Sequence, residues 1–107
     1  MPHYLIRASY TPEGWVALVK NPQNRREALR PVIEAAGGKL EGFYYAFGED
    51  DVVLLVELPD NVSVAAISIS VAAGGAVKSA VTTVLMTAEE AMEAMKRAQG
   101  VTYRPPA

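Results

Sequence analysis

The run Val52-Val53-Leu54-Leu55-Val56-Glu57-Leu58, opened by Asp51 and stopped by Pro59-Asp60, decides the fold. Its length, its β-branched residues and the turn formers at either end predict a strand and not a helix. Side chains alternate across a strand, so Val52, Leu54, Val56 and Leu58 share one face and Val53, Leu55 and Glu57 the other. Both faces are apolar apart from Glu57. Such a strand sits inside a sheet that needs cover on both sides, whereas an antiparallel sheet with one layer of helices normally turns a polar face to water.

Working outward, Gly48-Glu49-Asp50 reads as a hairpin turn. Lys39 to Phe47 reads as a second strand carrying Phe43, Tyr44, Tyr45 and Phe47. Before it, Asn21-Pro22 offers an N-cap and a first-turn proline for a helix running to about Ala36. Ala28, Leu29, Val32, Ile33 and Ala36 give that helix an apolar stripe, Pro31 should kink it, and Gly37-Gly38 ends it. Tyr4 to Tyr10 reads as the first strand, closed by Thr11-Pro12-Glu13-Gly14 as a turn or short helical entry. Downstream, Asp60 is placed to cap a helix from Asn61 to Ala73, and Gly74-Gly75 ends it. Val77 to Met86 is a fourth strand rich in valine and threonine. Thr87-Ala88-Glu89-Glu90 is a capping box opening a short helix, with Ala91, Met92, Met95 and Ala98 on one side as core-packing residues. Gln99 to Ala107 is a polar tail. The order β-α-β-β-α-β plus a terminal helix predicts a single α+β domain, residues 1–107, with a ferredoxin-like antiparallel sheet and its helices on one face.

In that topology the first and third strands are central. Tyr4, Ile6, Ala8 and Tyr10 belong with Val52, Leu54, Val56 and Leu58 under the helices. His3, Leu5, Arg7 and Ser9 then share the opposite face with Val53, Leu55 and Glu57. Leaving such apolar side chains in water forgoes roughly 1.5–3 kcal/mol each. A second copy of the chain, paired about a two-fold axis, is the economical cover.

Composition narrows the function classes. A chain of 107 residues, half hydrophobic and 21% charged, has the balance of one globular domain. The net charge of −2 removes the basic footprint that nucleic-acid binding needs. Arg25, Arg26 and Arg30 cluster, but Glu27 and Glu34 dilute them into a solvated helix face. There is no cysteine, which excludes disulfides, thiolate metal sites and a cysteine nucleophile. Met1 to Arg7 lacks the layout of a signal peptide. The apolar stretch Val62–Val77 is too short and too often interrupted by serine and glycine to span a bilayer, and reads as a buried helix. A cytoplasmic protein without membrane or nucleic-acid partners is expected.

Gly38-Lys39-Leu40, Phe43-Tyr44-Tyr45, Gly48, Asp51 and Glu57-Leu58-Pro59-Asp60 occur in an order and spacing that resembles the GYD domain family. Tyr10-Thr11-Pro12-Glu13-Gly14 and Arg25 fit the same pattern, so the likeness runs from about Tyr4 to Met86. Asp50 departs from it, standing where the family tends to carry tyrosine, and Pro31 is also atypical. The resemblance implies a ferredoxin-like fold of the dimeric α/β-barrel kind, with two sheets face to face. It brings no activity with it, since such barrels host enzymes, binders and sensors.

The candidate site residues are His3, Arg7, Tyr10, Tyr45 and Glu57. Antiparallel neighbours bring Glu57 within reach of His3 or Arg7, where a carboxylate with an imidazole or guanidinium could orient an acidic ligand. The alternative is an ion pair that fixes dimer register. Tyr10, Tyr44 and Tyr45 could line a pocket for a flat compound, or simply complete a small core. One histidine among scattered carboxylates is poor metal chemistry, and no metal site is expected. No Ser-His-Asp order, phosphate loop or nucleotide fingerprint is present, and no cofactor is expected. Three functions remain: a homo-oligomeric small-molecule binding or sensing domain, a structural or protein-interaction module, and a cofactor-independent oxygenase or isomerase using His3 or Glu57 as base.

Overall fold

The computed structural model describes every residue from Met1 to Ala107. Its strands are β1 (His3–Tyr10), β2 (Lys39–Tyr45), β3 (Val52–Glu57) and β4 (Val77–Leu85), and its helices are α1 (Pro12–Lys20), α2 (Arg25–Ala35), α3 (Asn61–Ala73) and α4 (Ala88–Ala98). The strands form one antiparallel sheet in the order β2-β3-β1-β4. This is the ferredoxin-like arrangement, with β1 and β3 central as the topology requires.

Across the central pair, Tyr4 faces Val56, Ile6 faces Leu54 and Ala8 faces Val52. All six are buried, together with Leu58, Ile33, Leu40, Val64 and Ile67, so the core lies between the sheet and α2 and α3. Tyr4 is fully buried, and its hydroxyl donates to Asn61 Oδ1 at 2.7 Å, which fixes the start of α3 to β1.

Local chemistry explains where the elements begin and end. At the end of α2, Gly38 N–H donates to the Ile33 carbonyl and Gly37 N–H to that of Glu34, the paired bonds of a Schellman cap, with Gly37 at φ 85°. A Cβ on Gly38 would lie 2.2 Å from the Glu57 carbonyl oxygen, so only glycine lets the α2–β2 connection pass beneath the end of β3. Asp60 caps α3 by accepting from Ser63 N–H at 2.8 Å, and Thr87 and Glu90 close the capping box of α4.

Several expectations are corrected. Of the two readings of Thr11–Gly14 the helical entry holds, and it opens a separate helix: Thr11 Oγ1 accepts from Gly14 N–H at 3.0 Å and Pro12 takes the first turn. Asn21 therefore ends α1, and Asn24 starts α2 by accepting from Glu27 N–H. Pro31 lies inside α2 as the sequence indicates. Strand β2 ends at Tyr45 because Phe47 is in the turn and wholly exposed. Helix α3 is only partly buried, through Val64 and Ile67, while Val62 and Ile69 face outward. Met92 and Met95 are exposed, and no residue of α4 is buried. The terminal helix projects away from the core, and the radius of gyration is 17.2 Å where a compact chain of this length has about 13 Å.

Candidate functional site

Two regions of the sheet carry the candidate residues, one on each face. The face away from the helices presents His3, Leu5 and Arg7 from β1, opposite Glu57, Leu55 and Val53 of β3. It continues onto β4 through Leu85, Thr83 and Val81 and onto β2 through Tyr44, and nothing in the chain covers it. Leu55, Tyr44 and Val81 are exposed there.

On this face His3 lies between two carboxylates. Its Nδ1 is 3.0 Å from Glu41 Oε1 and its Nε2 is 3.4 Å from Glu57 Oε1. Glu57 is where the strand alternation puts it. Glu41 was missed, because β2 carries a bulge: Leu40 faces Val56 and Gly42 faces Leu55, leaving Glu41 as the extra residue. A glycine inside a strand is the signal that marks such a site. The ligand atoms of His3, Glu41 and Glu57 all lie within 4.8 Å of one another, so this set could hold a divalent cation. Each carboxylate engages a different ring nitrogen, however, so a cation would have to displace one of them. Arg7 does not join the cluster. Its Nη1 is 3.8 Å from Asp50 Oδ2, and its buried Nε finds no acceptor in the chain.

Tyr10 and Tyr45 lie on the helix side. Their rings stack at 6.4 Å and 24°, and Trp15 of α1 meets Tyr10 edge-on at 5.0 Å. Tyr44 is separated from this group, since it pairs with Val53 on the open face. Asp51 fixes the corner by accepting from Tyr10 N–H at 2.9 Å, while its own N–H donates to the Ala8 carbonyl.

Beside this cluster, a cavity of about 440 Å³ opens between the sheet and helices α1, α2 and α3. Ile6, Leu29, Ile33, Phe43, Leu54 and Ile67 are among its apolar walls, and the ionisable side chains on it are Tyr10 and Arg25. Ser9, expected on the open face, is instead buried and borders this cavity, next to the register shift between Ser9 and Tyr10. Arg25 Nη1 donates to Gln23 Oε1 at 2.8 Å. Its neighbours on α2 differ, because Arg26 and Arg30 both reach Glu27, whereas Arg25 has no carboxylate within 4 Å. Burial, and next the neighbouring Tyr45 hydroxyl, push the Tyr10 phenol above its ordinary value, against the opposing pull of Arg25. Tyr10 is therefore a neutral hydroxyl at neutral pH.

Helix α1 borders the cavity through Gly14, Ala17 and Leu18, and Thr11 at its N-cap anchors it. Thr11 N–H donates to the Ala76 carbonyl at 2.8 Å and its hydroxyl to that of Gly75 at 3.0 Å. These bonds tie the start of α1 to the start of β4. No helix of the chain is long and apolar enough to cross a membrane.

This geometry can be set beside known proteins. A protein of Thermus thermophilus, named glutamine synthetase and cystathionine beta-lyase binding protein, is 31% identical over 78 residues, covering 73% of this chain and 82% of that protein. The family model described as GYD domain matches residues 4–95, from β1 into α4. The motifs it spans have the structural duties seen above, in the Thr11–Gly14 clasp, the Gly38 passage and the Asp51 corner, and the chain belongs to the GYD domain family.

Proposed function

We propose that this chain is a homo-oligomeric binding domain that takes a small molecule into the cavity between its sheet and its helices. The cavity carries the reading. Its volume of about 440 Å³ lies within the roughly 300–1,000 Å³ usual for ligand sites, and its walls are mainly apolar with a few polar groups. A domain built for packing alone closes such space, because interiors are packed as densely as organic crystals. A second copy on the open sheet face is part of the same reading. It is supported by the exposed Leu55, Tyr44 and Val81 and by the unpaired Arg7 Nε. A cytoplasmic setting for the cysteine-free single domain goes with it.

A second reading, a protein-interaction module, is favoured by the name of the Thermus relative and by the exposed Met92 and Met95 of α4. The two readings are compatible if ligand occupancy alters how the domain meets an enzyme. Catalysis by His3 or Glu57 has no such support, because both lie on the sheet face opposite the cavity and engage each other.

Thermal-shift screening against metabolite, aromatic and haem collections tests the first reading. A ligand at 100 times its dissociation constant stabilises by about 2.7 kcal/mol. Stabilisation of the natural chain that is absent in a cavity-filling Ala80→Phe variant is expected. Equal responses from both proteins, or none from either, would count against the cavity. For the second reading, immobilised chain should retain glutamine synthetase or cystathionine beta-lyase from the same organism, and Met92→Glu with Met95→Glu should abolish retention.

A further inference from the structure

The cavity wall carries a cation and no anion. Among its lining residues there is no aspartate, glutamate or histidine, and Arg25 is the charged one. Arg25 is half-buried, has no carboxylate within 4 Å, and is hydrogen-bonded to the neutral Gln23. A guanidinium drawn from water toward an apolar space is costly unless an anion meets it. It is also the first residue of α2, so the positive end of that helix adds to its field.

Resting on the cavity reading above, we infer that the ligand is a small monocarboxylic acid with an apolar body, its carboxylate on Arg25 and its hydrocarbon part against Leu29, Phe43, Leu54 and Ile67. Each alternative class fails on a named feature. A wholly apolar ligand would desolvate Arg25 and give nothing in return. A nucleotide or other polyphosphate would bring several negative charges to a wall holding one cation, without a glycine-rich loop to receive them. A cationic ligand would meet like charge. A single carboxylate matches the planar fork of guanidinium with two parallel hydrogen bonds. Tyr10 borders the same wall, and the stacked Tyr45 and edge-on Trp15 hold its ring.

The test pairs each acid with its primary amide, an isostere that lacks the charge. Titration calorimetry with 3-phenylpropionic acid and decanoic acid, and with their amides, is followed in parallel by the fluorescence of Trp15, the single tryptophan, whose ring is 5.0 Å from that of Tyr10. The natural chain is expected to bind the better-fitting acid about 10- to 100-fold more tightly than its amide. Arg25→Gln should remove that preference, bringing the affinity for the acid down to that for its amide. Arg25→Lys, which keeps the charge but loses the fork, should fall between them and serves if the glutamine variant does not fold. Acid and amide binding alike would overturn the carboxylate inference and leave the cavity reading standing. A preference for acid that survives in both variants would overturn the assignment to Arg25. Failure of acids and amides together would remove the inference and the cavity reading with it.

Discussion

Gly14 of α1 rests against Ala76 at the start of β4 so closely that a Cβ on Gly14 would lie 2.5 Å from the Ala76 carbonyl oxygen. That oxygen already accepts from Thr11 N–H at 2.8 Å, so it cannot retreat without loosening the clasp. Gly14→Ala is therefore expected to destabilise the fold by about 1–3 kcal/mol, the usual range for forced overpacking. Chemical denaturation at constant slope would measure it. Unchanged stability would mean that α1 is free to shift. Thr11→Val, which removes the hydroxyl bonds but keeps the shape, should show a smaller loss of about 0.5–2 kcal/mol.

Leu55 and Tyr44 lead to a prediction about assembly. Both point away from the helices and both are exposed in the single chain. In a lone monomer Leu55→Lys places an ammonium in water and costs little. In a face-to-face dimer it buries an unpaired charge, which weakens association by about 3–5 kcal/mol. Light scattering at micromolar concentration should then report a dimer for the natural chain and a monomer for the variant. Should both run as monomers, the open face has no second copy on it.

The His3–Glu57 contact fixes register more than it stabilises. Both side chains are about a quarter exposed and their atoms are 3.4 Å apart, with Glu41 competing for the same imidazole. A double-mutant cycle with His3→Ala and Glu57→Gln should give a coupling energy below about 1 kcal/mol, the range of solvent-screened pairs. A coupling of several kcal/mol would mean that the face is sealed in solution and the pair desolvated.

The sheet was legible because its evidence is local. Val52 to Leu58 and Tyr4 to Tyr10 alternate, and their pairing in register follows from which faces are apolar. Helix α3 was legible in its bounds because Asp60 and Gly74 punctuate it. Helix α1 was not, although Thr11-Pro12 is a sound helix start. Trp15 to Val19 is apolar at every position, so it shows no stripe from which a helical period could be read. Alternation placed His3 and Glu57 correctly, and it failed at Glu41 because a bulge shifts the period by one residue. The cavity was hidden for a different reason. Tyr10 ends β1 and Arg25 opens α2, and both border the cavity only through the folded arrangement of these elements, which no local pattern reveals. The basic cluster Arg25-Arg26-Arg30 looked uniform in sequence, and only the Glu27 partners of the latter two set Arg25 apart.

Asp60 gives the fold a pH dependence of defined sign. Its carboxylate accepts from Ser63 N–H at 2.8 Å and from the Ser63 hydroxyl at 2.8 Å. These bonds, the backbone one first, hold its pKa below the ordinary carboxylate value. A group whose folded pKa is lowered stabilises the fold fully above its unfolded pKa, and that contribution is lost as pH falls through the folded one. The melting temperature of the natural chain should therefore drop on acidification through and below the carboxylate range. Asp60→Asn keeps a capping oxygen but cannot titrate, so its melting temperature should lie close to natural at neutral pH and decline less steeply in acid. Asp60→Ala loses the cap itself and should melt lower at neutral pH, also with a shallower acid limb. Melting curves collected from neutral pH down to the acid limit separate these cases. If Asp60→Asn declines as steeply as the natural chain, the acid sensitivity belongs to other carboxylates and the cap of α3 plays no part in it.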